Sequence, residues 1–127
     1  MEKIFYKNTL IAIRFKRFKS GPMPITDPKE PLQLVAFKHP KGKYTKGHFH
    51  KPRKRVTQRL QECLVMIKGK IKIDLFGSDK KFFKSLYLST GEAVILMNGG
   101  HGVHVLKDSE IIEVKNGPFV EDKVLIE

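Results

Sequence analysis

Apolar and polar residues alternate along this chain in short runs broken by glycine and proline, and helical periodicity is almost absent. Residues 9–17 set Ile11, Ile13 and Phe15 against Ala12, Arg14 and Lys16, which predicts a first strand. Residues 20–28 hold too much proline and glycine for a regular element and read as a loop. Residues 32–38 predict a second strand, closed by His39-Pro40 and Gly42, and residues 47–51 a brief third one. The apolar runs 61–67 and 71–76 flank Lys68-Gly69-Lys70, the pattern of a hairpin. Further turns at 77–81, 89–91, 99–100 and 107–109 separate strands expected over 82–88, 93–97, 103–106 and 111–115. Short strands at such regular spacing predict an all-β barrel or sandwich. No internal repeat or low-complexity segment interrupts the pattern.

Length adds that one domain, residues 1–127, is enough to bury a core without staples. A single cysteine, Cys63, excludes an intramolecular disulfide and suits a reducing compartment. Lys7, Arg14, Lys16 and Arg17 interrupt any leader-like apolar stretch, and nothing approaches a membrane-spanning length. A soluble, cytoplasmic protein is therefore expected.

The formal net charge is +12, which creates a field that draws anions. Most of the basic residues suit a solvated surface, but Lys51-Pro52-Arg53-Lys54-Arg55 follows directly on His50. Arg53 and Arg55, with Gln58, are therefore expected to rim whatever pocket the histidines line, favouring an anionic small-molecule ligand. Nucleic acid is not expected as a partner, because no RNA-binding aromatic signature, zinc-finger spacing or recognition helix is evident. Tyr44, Phe49, Phe82 and Phe83 are candidates for stacking on a sugar or base, with core packing the commoner use.

His48 and His50, two apart on an extended segment, would point to one face. Glu62 shares its parity with Leu60, Leu64 and Met66 and should face the interior. A lone carboxylate there is costly and needs a metal or a cation. His101 arrives at a glycine turn from a later strand. Three imidazoles and one carboxylate form a mixed set suited to Zn, Fe(II), Mn, Ni or Cu. The expected metal ligands are His48, His50, Glu62 and His101. Without a metal, His50 or His101 would be the general base, since imidazole titrates near neutrality. Gln58 has the parity to support or replace a ligand. His104 should lie on the opposite face, structural or exposed, and His39 has no role. Cys63 reads as a small buried hydrophobe. Glu110, Glu113 and Asp122 have no histidine partner at useful spacing.

The run Gly42-x5-His48-x-His50-x11-Glu62-x6-Gly69 resembles the first motif of the cupins. Gly91-Glu-Ala-Val-Ile-Leu with Gly99-Gly-His101 looks like the second, in residues 91–104. The resemblance covers about residues 32 to 115 and is more specific for the first motif. It implies a double-stranded β-helix, or jelly-roll, barrel with a metal held by the two histidines, the glutamate and the later histidine. Two departures stand out. The stretch of eleven residues between His50 and Glu62 is longer than usual, as if a basic loop were inserted over the mouth. The second motif lacks its usual proline, and His101 falls one residue early. The chain resembles small single-domain cupins and, more distantly, cupins that isomerise or epimerise nucleotide sugars, which often use histidines as acid and base without a metal. An isomerase-like or epimerase-like role on a phosphorylated or nucleotide sugar is the favoured expectation. A metal-dependent dioxygenase, a non-catalytic sensor module and, as a third rival, a nucleic-acid-associated protein using the basic face are the alternatives, and a homodimer would cover exposed strand edges.

Overall fold

The structure is a computed structural model and describes residues 1–126. It contains ten strands: β1 (Glu2–Tyr6), β2 (Thr9–Phe15), β3 (Gly21–Pro24), β4 (Val35–Lys38), β5 (Glu62–Lys68), β6 (Lys70–Phe76), β7 (Phe82–Ser89), β8 (Ala93–Leu96), β9 (Gly100–Val105) and β10 (Glu110–Lys115). The fold is all-β, and every strand pairing is antiparallel. A five-stranded sheet runs β1-β2-β8-β5-β10, a three-stranded sheet β7-β6-β9, and β3 and β4 form a separate ribbon. Among the described residues no helix is long and apolar enough to cross a membrane.

Two cores hold these layers together. One gathers Ile4, Ile11, Leu64, Met66 and Val94 with Ile71, Ile73, Leu75, Leu86 and Leu88, and so lies between the two larger sheets. The other gathers Ile13, Phe15, Cys63, Ala93 and Ile95 with Ile25 and Ala36, on the side covered by the β3–β4 ribbon. Each fully buried aliphatic side chain contributes about 1.5–3 kcal/mol. Because both faces of the five-stranded sheet are covered at its centre, β8 is buried at all four residues and loses the alternation of a half-exposed strand.

The path of the chain departs from the sequence expectation in four places. β1 was not anticipated. Lys7 and Asn8, with φ of 48° and 65°, close a two-residue hairpin into β2, a turn that asparagine tolerates well. The 20–28 stretch is not all loop, since Gly21–Pro24 pairs with β4. Pro22 and Pro24 are compatible with that pairing because the ribbon leaves each strand a free edge. Residues 47–51 form no strand. Finally, β5 and β6 do not form a hairpin across Lys68-Gly69-Lys70. β5 pairs with β8 and β10, whereas β6 pairs with β7 and β9. Gly69, with φ of 104°, takes the chain from one sheet to the other, and a Cβ there would lie 2.5 Å from the Asp108 carbonyl oxygen.

Two irregularities shape the end of the molecule that matters below. In the β1–β2 pairing Ile4 faces Ala12 and Phe5 faces Leu10, so Ile11 is the extra residue of a β-bulge. Beyond β8 the chain turns at Gly99, with φ of 75°, where a Cβ would overlap the Phe76 carbonyl oxygen. The β1–β7 side of the packing is closed by the Tyr6–Phe83 stack, at 4.5 Å between centroids, and by Arg14 donating to the Tyr87 carbonyl at 3.0 Å. The β9–β10 side is open. Val103, Val105 and Ile111 pair with buried inward-facing residues yet stay 43%, 62% and 36% exposed.

Three outcomes are expected. Gly99→Ala should lower unfolding stability in urea by about 2 kcal/mol or more, since it adds a clash to an unfavourable φ. Gly91→Ala, with φ of 84° but open space around it, should lose about 1 kcal/mol. Burial pushes the Cys63 thiol up to about 11 from an ordinary value of 9.0. The neutral thiol is favoured in the folded state, so this contribution to stability is complete below about pH 9 and is lost as pH rises towards 11. Iodoacetamide at pH 8 should label Cys63 only on unfolding, and rapid labelling of native protein would contradict this burial.

Candidate functional site

The site is built where β8 hands over to β9. The Met97 and Asn98 amides donate to the Ile11 carbonyl, at 2.8 and 3.3 Å, and the Asn98 side-chain amide donates to the Leu10 carbonyl at 2.8 Å. The bulge in β2 thus supplies the acceptors that anchor the turn. After Gly99 the chain enters β9, where His101 lies opposite Leu75 and faces the inter-sheet space. Glu62 opens β5 opposite Leu96 and Lys115. Its inward orientation agrees with the parity of Leu64 and Met66, both buried.

His101 Nε2 lies 3.2 Å from Glu62 Oε2, with the carboxylate the less exposed of the two. Glu62 is held below the usual carboxylate range, first by its hydrogen bond from His101 and then by the positive charges of His101, Lys115 and Lys123; burial opposes this. The two side chains line a cavity of about 220 Å³ with Leu60, Leu96, Asn98, Gly99 and Asp122. When Nε2 carries the proton and donates to Glu62, the Nδ1 atom of His101 remains available as a base. The pair therefore has the parts for moving a proton on a small molecule, with Asp122 in the lining and the charges of Lys115 and Lys123 acting on Glu62.

Gln61, fully buried, fixes the approach to Glu62. Its side-chain Oε1 accepts from the Leu32 amide at 3.1 Å, and its side-chain Nε2 donates to Glu30 at 2.7 Å and to the Met97 carbonyl at 3.4 Å. The Gln61 backbone amide donates to Asn116 Oδ1 at 2.8 Å. Loss of such buried bonds leaves unsatisfied groups and is costly.

Of the four expected ligands, the structure brings Glu62 and His101 together and leaves His48 and His50 apart from them. Both lie on the exposed, strandless stretch between β4 and β5, with rings 5.1 Å apart, and His48 Nδ1 pairs with the Lys46 carbonyl at 2.9 Å. The expected i, i+2 arrangement on a strand is thus not formed, because no neighbouring strand supplies a ladder to residues 47–51. Among the described residues no group of three or more His, Cys, Asp and Glu side chains stands ready to hold a metal ion. Arg53, Arg55 and Gln58 are exposed and do not line the cavity. His104 is exposed, as expected, and bonds Asp74 at 2.6 Å.

Asp122, set aside in the sequence for want of a histidine partner, lines the same cavity as His101. Asn98, Lys115 and Lys123 were also missed. Lys115 is set opposite Glu62 by the β10–β5 register, which no local pattern encodes, with its ammonium 3.2 Å from Glu113. A larger hollow, about 550 Å³, lies by Gly21, Lys38, His39 and Lys43, but it is open and has no carboxylate in its lining. Compared with family models, curated proteins and solved structures, the chain matches none.

The depressed Glu62 sets a pH dependence. A carboxylate with a lowered folded pKa contributes stability that is complete above its ordinary value of 4.5 and is lost as pH falls through the lower folded value. Urea midpoints should therefore fall more steeply for wild type than for Glu62→Gln below about pH 4.5. Parallel curves for the two proteins would show that the His101 contact does not stabilise the ionised carboxylate.

Proposed function

We propose that this chain is a cupin-type jelly-roll protein whose Glu62–His101 centre binds an anionic small molecule, with an isomerase-like or epimerase-like role on a phosphorylated or nucleotide sugar. One observation carries the reading: a histidine and a carboxylate 3.2 Å apart at the edge of a cavity, with Lys115 and Lys123 in the same electrostatic environment. In this role His101 takes or returns a proton at the carbon beside a carbonyl, and Glu62 orients the imidazole and stabilises its charged form. Lys115 and Lys123 favour a phosphate or carboxylate group of the ligand. Asn98, tied to the Leu10 carbonyl, holds the cavity wall in place.

The donor chemistry also fits a divalent ion in part. Glu62 Oε2 and His101 Nε2 are two donors of a mixed nitrogen–oxygen set suited to Zn, Fe(II), Mn or Ni. His48 and His50 would complete it if the stretch between β4 and β5 packed against the open β9 edge as a further strand, where alternation would point both imidazoles inward. A metal held there would supply Lewis-acid polarisation of a substrate oxygen. The single buried cysteine agrees with work in the cytoplasm.

Elemental analysis of untagged protein, wild type beside His48→Ala/His50→Ala and Glu62→Gln/His101→Asn, tests both layers. Near-stoichiometric metal lost in either double variant is the expected result. If wild type takes up no Zn, Mn, Ni or Fe(II), the metal layer fails and the acid–base layer is judged by calorimetry with nucleotide sugars. Binding heat abolished in Glu62→Gln/His101→Asn supports the site; unchanged heat in that variant, or none in wild type, overturns the sugar reading.

A further inference from the structure

His101 occupies the inner face of the three-stranded sheet; the outer face carries a different chemistry. Along β6, Ile71, Ile73 and Leu75 are fully buried, so Lys70, Lys72, Asp74 and Phe76 turn away from the core. Pairing sets Tyr87 and His104 on either side of Lys72, Ser85 and Gly102 on either side of Asp74, and Phe82 and Gly100 on either side of Phe76. Tyr87 is 49% and Phe82 57% exposed. Lys70 Nζ lies 5.4 Å from the Tyr87 ring centroid, and the Phe76 and Phe82 rings are 5.9 Å apart. Nothing stands within 4 Å of a Cβ built on Gly102, so the middle of the face is open to a planar group, whereas Ile126 covers the Gly100 end beside Phe76. The Asp74 carboxylate is covered by its neighbours: the Ser85 hydroxyl donates to it at 2.6 Å, His104 Nε2 bonds it at 2.6 Å, and Lys72 Nζ lies at 4.0 Å.

We propose that this outer face binds single-stranded nucleic acid, with bases stacked on Tyr87 and Phe82 and the phosphate backbone drawn by Lys70 and Lys72. Exposed rings beside cations on an open sheet are the two components such binding needs, since every base has a π-face and every linkage a charge. The net charge of +12 favours a polyanion over a neutral glycan or an apolar peptide for the same rings. No linear motif shows this face, because Phe76 meets Phe82 and Lys70 meets Tyr87 only across the β6–β7 pairing. This site is separate from the Glu62–His101 cavity and does not depend on its function.

The test is fluorescence anisotropy of a labelled mixed-sequence single strand, about 12 nucleotides long, with the full chain over a salt series. Affinity should fall linearly with salt on logarithmic axes. Tyr87→Ala/Phe82→Ala should weaken binding about tenfold or more, and Tyr87→Phe should retain it. Thermal melts of the variants establish that these exposed substitutions leave the fold intact. Lys51→Gln/Arg53→Gln/Lys54→Gln/Arg55→Gln, in the strandless stretch between β4 and β5, should lower affinity only through the general field. The proposal is overturned by absent binding at low salt or by equal competition from dextran sulfate at matched charge. It also fails if the basic-loop variant abolishes binding while the aromatic double variant leaves it unchanged.

Discussion

The arrangement of the candidate site depends on one backbone constraint, the turn at Gly99. There the chain leaves the five-stranded sheet and enters the three-stranded one so close to the Phe76 carbonyl that no side chain fits. A glycine is required twice over, by the contact and by the positive φ. The turn follows directly on Leu96, Met97 and Asn98, and Leu96 is the residue opposite Glu62. His101 lies two residues beyond it. The distance between acid and base is therefore set by backbone pairing on both sides, with the Ile11 bulge supplying the acceptors that hold the turn.

Packing decides which side of the molecule is available for chemistry. The central strand β8 is buried on both faces, and the β1–β7 side is sealed by aromatic stacking and by Arg14. The β9–β10 side leaves the inward-facing apolar residues Val103, Val105 and Ile111 in contact with solvent. Glu62 and His101 sit at that side, where a carboxylate can be partly desolvated and still feel the charges of Lys115 and Lys123. Partial burial strengthens the charge–charge contacts that solvent would otherwise screen. The three-stranded sheet is thus asymmetric, with aliphatic side chains and His101 on its inner face and cations and aromatic rings on its outer one.

The strands from β5 to β10 were legible from alternation and glycine turns, and the structure differs there mainly by one or two residues at their ends. Parity also gave Glu62 its inward direction; Cys63, of opposite parity, is buried as its residue type suggested, in the second core with Ile25 and Ala36. The hairpin expected at Lys68-Gly69-Lys70 failed for a physical reason. A glycine at positive φ serves equally well for a hairpin and for a passage between sheets, and contacts as distant as Ser109 choose between them. The strand expected over residues 47–51 failed because alternation is a necessary condition for pairing, not a sufficient one. β3 escaped because two prolines suggest a loop wherever edge position is unknown.

What the sequence by itself determined is the class of the fold and the faces of its strands. These follow from local rules: period-two alternation, turn residues, and the cost of burying a lone charge. It also singled out Glu62 and His101. Only the tertiary structure decided that Lys115, Asp122 and Lys123 share the surroundings of that pair, and that His48 and His50 stand apart from it. Those outcomes depend on register and on which strand finds which neighbour, interactions between residues far apart in the chain. No local window of residues contains them.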